Sequence, residues 1–326
     1  MRRREFIIHL GGGVALAWPV AARAQQPDRM RRLGVLMGLG ADDRESQARL
    51  AVFVQALGEL GWSRNLAIDT RWCADDPERA RAYAAELTAL APDVMLASGS
   101  ISASALRQAT RSIPVVFVQV AEPQGLVESF AKPGRNITGI ASIESGVSAK
   151  WLALIKEIAP HTRRVMVVRD PDSGAGTGQF AAIQSAAPAL GVELAAVGVR
   201  DANEIERTIV DFARVPDSGL IVTTSTRASA HRDLIISLAA RLRLPAVYPF
   251  RFYATAGGLI AYGADWNDQY RRAAGYVDRV LRGEKPADLP VQMPVKYETV
   301  LNLKTAKALS LQVPDVVRLR ADEVIE

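Results

Sequence analysis

The chain has 326 residues, of which 49% are apolar and 23% charged, with a net charge of +5 and a single cysteine. That length exceeds one ordinary core and predicts two domains, and a lone Cys73 excludes an internal disulfide. Residues 1–24 hold four of the 40 basic residues and one of the 35 acidic ones, so the remainder carries a net charge near +2, which gives no reason to expect nucleic acid as a partner.

The leader sets the expected compartment. Arg3 and Arg4 precede a weak apolar stretch over 6–20 that Gly11, Gly12 and Gly13 interrupt, and Ala22 and Ala24 place small residues where a signal peptidase reads. The stretch is too short and too glycine-rich for a membrane span. An amphipathic helix tolerates such glycines poorly, at about 1 kcal/mol each. The arginine pair, the weak apolar middle and the basic Arg23 predict export by the twin-arginine translocase to the periplasm. No cysteine near the cleavage point offers a lipid anchor. No later segment reaches about 18 uninterrupted apolar residues, so the exported chain is expected to be soluble.

From residue 27 onward strands and helices alternate. Spans 33–37 and 66–72 read as strands around a helix over 46–60, with Leu50, Phe53, Val54, Leu57 and Leu60 on its apolar side. A helix over 77–90 opens on proline. A strand at 93–98, a helix at 100–110 and strands at 114–119 and 136–140 follow. The pattern then restarts with a helix at 148–158, a strand at 164–169, a helix at 180–190, a strand at 192–199 and a helix at 204–213. A strand at 219–223, a helix at 228–242 and a strand at 245–248 continue it. A short strand at 259–262 precedes a helix over 266–281, whose apolar side is Tyr270, Ala273, Ala274, Val277, Val280 and Leu281. Gly283 and Pro286 end that helix; 292–302 is extended and 303–309 helical.

Val115-Val-Phe-Val118 and Val165-Met-Val-Val168 are apolar at every position, as expected of parallel strands covered on both faces. Strands alternating with helices of about ten to fifteen residues imply right-handed βαβ units. The expected class is therefore α/β, with two doubly wound parallel-sheet lobes. The first takes in 31–142 and 263–288, the second 146–260 and 291–322, with hinges near 143, 261 and 290. Ligands of such sheets bind beyond the carboxyl ends of the strands, so the two lobes are expected to share one cleft.

Arg32-Leu-Gly-Val-Leu-Met37, Glu59-Leu-Gly-Trp62, Ala91-Pro-Asp-Val94, Ile113-Pro-Val-Val-Phe-Val118, Ala131-Lys-Pro-Gly134 and Asn136-Ile-Thr-Gly139 recur together in one group of proteins. So do Lys150-Trp-Leu152, Leu154-Ile-Lys-Glu-Ile-Ala-Pro160, Leu244-Pro-Ala-Val-Tyr248, Ala256-Gly-Gly-Leu259, Gly283-Glu-Lys-Pro286 and Leu303-Lys-Thr-Ala-Lys-Ala308. In their order and spacing the chain resembles the ABC-transporter substrate-binding family whose best-known members bind tryptophan or tyrosine. The resemblance covers nearly the whole chain after the leader. It implies a type I periplasmic-binding fold with three crossovers between lobes, and capture of a small molecule by hinge closure. It also implies an ABC permease and ATPase complex as partner, with no cofactor and no catalysis. It leaves the ligand open. A sensor for a membrane signalling receptor is the alternative output, and a periplasmic enzyme using the same cleft is a third.

Several residues are candidates for the cleft. Ser98-Gly99-Ser100 ends a strand and opens a helix, where free N–H groups and hydroxyls suit a carboxylate, or Ser100 simply caps the helix. Thr223 and Thr224 hold the equivalent place in the second lobe. Gln119, Met37 and Asp170 end strands. Tyr248, Phe250, Phe252 and Tyr253 suit a planar cleft wall or core packing. Asp265, at a crossover, resembles the acidic residue that holds an amino group in amino-acid-binding relatives, or else caps the next helix. The expected ligand is a small carboxylate, in particular an amino acid with a planar side chain.

Enzymatic patterns are weak. Gly176-Thr-Gly178-Gln-Phe-Ala181 with Asp201 fits a dinucleotide fingerprint, but Gly176 stands too far from the strand end and reads as part of a flexible loop at the cleft mouth. The phosphate-loop, Gly-x-Ser-x-Gly and His-Glu-x-x-His patterns do not occur. His161 and His231 suggest neither a metal site nor a triad.

Overall fold

Short apolar strands that need cover on both faces build two separate sheets. The computed structural model describes residues 29–121, 123–142, 145–171, 174–198 and 200–326; Arg3, Arg4, Ala22 and Ala24 of the expected leader, and the hinge expected near 143, lie outside them. In the first sheet, β1 (Arg31–Met37), β2 (Leu66–Trp72), β3 (Val94–Ser98), β4 (Val115–Val120) and β5 (Ile137–Ala141) are parallel, in the order β2-β1-β3-β4-β5. Helices α1 (Arg44–Leu57), α2 (Pro77–Ala89) and α3 (Ser100–Ala109) connect the first four.

The second sheet has the order β12-β11-β10-β9-β8-β6-β7. Helix α4 (Ala149–Ile158) leads into β6 (Arg164–Arg169), α5 (Gly174–Leu190), β7 (Glu193–Gly198), α6 (Ala202–Ala213) and β8 (Ser218–Val222). Then come α7 (Thr226–Ala230), α8 (Arg232–Arg241), β9 (Ala246–Tyr248), α9 (Arg251–Thr255) and β10 (Ile260–Ala264). Helix α10 (Trp266–Leu281) returns to the first lobe before β11 (Tyr297–Asn302), α11 (Leu303–Ala308), α12 (Asp315–Arg320) and β12 (Glu323–Ile325) complete the second. All pairings are parallel except β10 with β11.

Each sheet is covered on both faces, as the continuous apolar strands require. Alternate residues Val35, Leu96 and Val116 pack with Phe53 of α1 and Tyr270, Ala273 and Val277 of α10. Their neighbours Leu36, Met95 and Phe117 pack with Leu87 of α2 and Leu106 of α3. In the second lobe Met166, Val168 and Leu220 face one core and Val165, Val167 and Ile221 the other. With both faces closed, only the strand ends remain open to a ligand.

The chain crosses between the lobes after β5, between β10 and α10, and before β11. These crossings lie side by side. The N–H of Ala141 donates to the carbonyl of Gln292 at 2.8 Å, and the N–H of Gln292 to that of Gly139 at 3.0 Å. The N–H of Asp265 donates to the carbonyl of Lys296 at 3.0 Å, and its carboxylate meets Lys296 Nζ at 2.9 Å.

Four local features differ from the sequence expectation. The glycine-rich span expected as a flexible loop is the first turn of α5. A Cβ at Gly176 would stand 3.1 Å from the carbonyl oxygen of Asp170 and 3.6 Å from Arg169 Cβ, so the glycine lets the helix start pack on the end of β6. The expected helix over 228–242 is divided at His231 into α7 and α8. The buried side of α1 is Ser46, Arg49, Phe53, Ala56 and Leu57; Val54 and Leu60 are 40% and 38% exposed. Strand β12 and the antiparallel β11 extend the second sheet beyond a purely parallel series. No helix among the described residues is long and apolar enough to cross a membrane.

Candidate ligand-binding site

Strand ends of both sheets line one cavity of about 440 Å³. The first lobe contributes Gly38, Asp75, Ser98, Gly99, Ser100 and Gln119, with Ser46 and Arg49 from α1. The second contributes Asp170, Thr224, Ser225, Arg227 and Phe250, and Trp266 at the start of α10 stands between them. This is the place that doubly wound sheets reserve for ligands.

On the first-lobe side, Gly99 takes φ +91° between β3 and α3, a conformation that glycine adopts without strain. The turn leaves the first N–H groups of α3 at the cavity with no acceptor inside the helix. The hydroxyls of Ser98 and Tyr270 lie 2.7 Å apart, and the Tyr270 hydroxyl donates to Gln119 Oε1 at 3.2 Å. Gln119 Nε2 is buried and has no hydrogen-bond partner among the described residues. Gln119 and Asp75 both hold left-handed backbone, at φ +59° and +58°, which costs a non-glycine residue of order 1 kcal/mol.

On the second-lobe side, Arg227 donates to Asp170 Oδ1 at 3.0 Å. Gln179 pins Thr224 by two hydrogen bonds of 2.9 Å, one to its backbone N–H and one to its hydroxyl. The Phe250 and Trp266 rings approach to 3.8 Å between centroids, and the Arg49 guanidinium lies 3.8 Å from the Trp266 ring centre, inside cation–π range. Across the gap, Arg232 of α8 donates to Asp43, the N-cap of α1, at 3.0 Å.

Two cavity charges are displaced from their ordinary behaviour. Burial pushes the Asp75 carboxyl up to about 6, with nearby Arg227 opposing and Asp170 reinforcing the shift. Burial pulls the Arg49 guanidinium down to about 10, where it is still charged at neutral pH. Among the described residues no group of three or more His, Cys, Asp or Glu is placed to hold a metal ion.

Of the residues singled out in the sequence, Ser98, Ser100, Gln119, Asp170, Thr224 and Phe250 line the cavity. Met37, Thr223, Tyr248 and Asp265 lie outside its lining. Met37 is the last residue of β1 and points into the first core, leaving Gly38 to face the gap. The Thr223 hydroxyl donates to the carbonyl of Val168 at 3.1 Å. Tyr248 stacks on Tyr253 at 5.0 Å within the second core. Asp265 caps α10 through the N–H of Asp268 and pairs with Lys296.

Sequence reasoning missed Arg49, Asp75, Arg227 and Trp266. The signal for Arg49 was present: Ser46 and Arg49 continue the Phe53 side of α1 at helical spacing, and polar residues on a buried side mark a site. Asp75 stands beside Asp76 and Pro77, whose capping of α2 masks it.

The family model for ABC transporter substrate binding protein matches residues 45–325. The tyrosine-binding protein of Clostridioides difficile is 25% identical over 282 residues, which are 83% of this chain and 78% of that one. A Streptococcus pneumonia ABC domain solved in complex with L-Trp is 23% identical with a TM-score of 0.83, covering 90% of this chain and 99% of the other. A ligand-free, open substrate-binding protein from Clostridium difficile, also 23% identical, covers the same shares and gives 0.70.

The raised Asp75 carboxyl yields a stability prediction. The folded protein holds this proton more tightly than the unfolded chain does, so Asp75 lowers stability as pH rises from about 4 through 6. Asp75→Asn should therefore melt about 2–4 °C above wild type at pH 7.5 and level with it at pH 4. An equal offset at both pH values would show that Asp75 does not titrate in this way.

Proposed function

Because the chain belongs to the ABC transporter substrate-binding protein family, whose members are extracytoplasmic solute-binding proteins and not enzymes, we propose that its cavity captures an aromatic L-amino acid for an ABC permease. The carrying observation is that one cavity offers a helix N-terminus, a carboxylate and a planar apolar wall, drawn from both lobes. The ligand carboxylate lies at the amino end of α3 beside Ser98 and Ser100, which suits an anion. Its ammonium meets Asp75, with Asp170 behind. Its ring lies against Phe250 and Trp266. Each ligand charge then has a partner, without which desolvation is costly.

Capture works by closure. The crossings after β5, between β10 and α10 and before β11 act as the hinges, as expected near 143, 261 and 290, and the Asp43–Arg232 pair joins the lobes in the closed state. A ligand held by both lobes favours that state by its extra contacts. The tyrosine named for the C. difficile relative and the L-Trp bound by the S. pneumonia domain support this ligand class.

Calorimetric titration with L-tyrosine and L-tryptophan checks the reading. At least one should bind wild type, and Asp75→Asn should weaken it about tenfold or more, since hydrogen bonds to charged groups contribute about 1.5–3 kcal/mol. Binding of neither, with binding of a sugar instead, would replace the amino-acid reading.

Export to the periplasm by the twin-arginine route completes the proposal, supported by Arg3 and Arg4 before a weak apolar stretch. Replacing both with lysine should leave the precursor in the cytoplasm. Normal periplasmic yield of that variant would point to the general secretory route.

A further inference from the structure

The reading above does not use Arg49. Its side chain is 4% exposed and lines the cavity. Its nearest carboxylate is that of Glu45, one turn earlier, at 3.8 Å, beyond hydrogen-bond reach. No hydrogen bond from its guanidinium is found among the described residues. The Trp266 ring on one side attracts the cation but satisfies none of its five N–H donors. A guanidinium buried in this way is costly unless an anion meets it.

Its neighbours narrow what that anion is. Arg49 shares the cavity with Ser98 and Gln119, both of which meet the Tyr270 hydroxyl at the base of α3. Arg49, Gln119 with its unpartnered Nε2 and the amino end of α3 thus line the same cavity. Three sets of donors and one flat ring fit a planar, two-oxygen anion, which a guanidinium fork binds through parallel hydrogen bonds.

We propose that Arg49 is the anion receptor of the cleft, holding a carboxylate of the ligand between its guanidinium and the amino end of α3, so that a carboxylate is the group the ligand must carry. This deepens the reading above and rests on the same cavity. It does not require the ligand to have an amino group.

The test is calorimetric titration of wild type and Arg49→Met at pH 7 with L-tyrosine, L-tyrosinamide, 4-hydroxyphenylacetate and 4-hydroxyphenylacetamide, alongside a denaturant midpoint for each protein. The acids that bind wild type should lose about tenfold or more in R49M. The amides should change by less than threefold, and the R49M midpoint should match or exceed that of wild type, as expected when a buried charge with no hydrogen-bonded anion is removed. Unchanged acid binding in R49M overturns the proposal. So does a loss of affinity accompanied by a lower midpoint, which marks Arg49 as a structural cation. Arg49-dependent binding of 4-hydroxyphenylacetate without binding of L-tyrosine upholds the receptor and removes the amino-acid reading. L-tyrosine binding indifferent to R49M does the reverse, and binding of neither acid overturns both.

Discussion

A sheet covered by helices on both faces has nowhere to receive a ligand except the ends of its strands, and this constraint organises the whole molecule. The two sheets bury Val35 and Leu36, Met95 and Leu96, or Val167 and Val168 on opposite faces. Their strands must then be short, apolar and devoid of function, and the polar residues collect where the strands stop. Two such sheets meeting end to end give a cavity whose walls belong to different lobes. A ligand there reports on the relative position of those lobes.

The charges of the cavity follow from the same arrangement. Asp170 has Arg227 at 3.0 Å on its own lobe, whereas among the described residues no hydrogen-bonded counter-charge is found for Arg49, whose Glu45 partner stands 3.8 Å away, or for Asp75. Low dielectric displaces both toward their neutral forms. A zwitterion with its carboxylate at Arg49 and its ammonium at Asp75 would relieve both costs within the first lobe, and a ring against Phe250 would engage the second. Trp266 sits where these effects meet, between Arg49 of the first lobe and Phe250 of the second. It is also the first residue of α10 after a crossing, so the crossing segment itself supplies part of the wall.

Much of the fold was readable in the sequence because its period is unambiguous. The strand at 66–72 and the helices near 77 and 266 appear within a residue or so of their expected bounds. The failures have particular causes. Gly176 looks like loop punctuation, yet a glycine in a helix also permits close approach to a strand end, and only the position of Asp170 distinguishes the two. In α1, apolarity alone chose Val54 and Leu60 for the buried side, because the side that is buried there carries Ser46 and Arg49. The site was readable near some strand ends, as at Ser98 and Thr224, but not at all of them, since Met37 and Thr223 turn inward. It was unreadable where tertiary contacts decide: nothing local distinguishes Tyr248, stacked in a core, from Phe250, two residues on and facing the cavity. Asp265 illustrates one residue type serving two settings, since a crossover carboxylate here caps α10 and ties two crossings together through Lys296.

The central claim is that ligand joins the lobes, and the most direct measurement is small-angle scattering with and without ligand. At a saturating concentration of whichever aromatic amino acid binds by calorimetry, the radius of gyration of wild type should fall. Asp43→Ala, which breaks the Asp43–Arg232 bridge across the gap, should start more extended and need more ligand to contract. A radius of gyration unchanged by saturating ligand, in a protein that binds it, would contradict closure and leave a rigid pocket in its place.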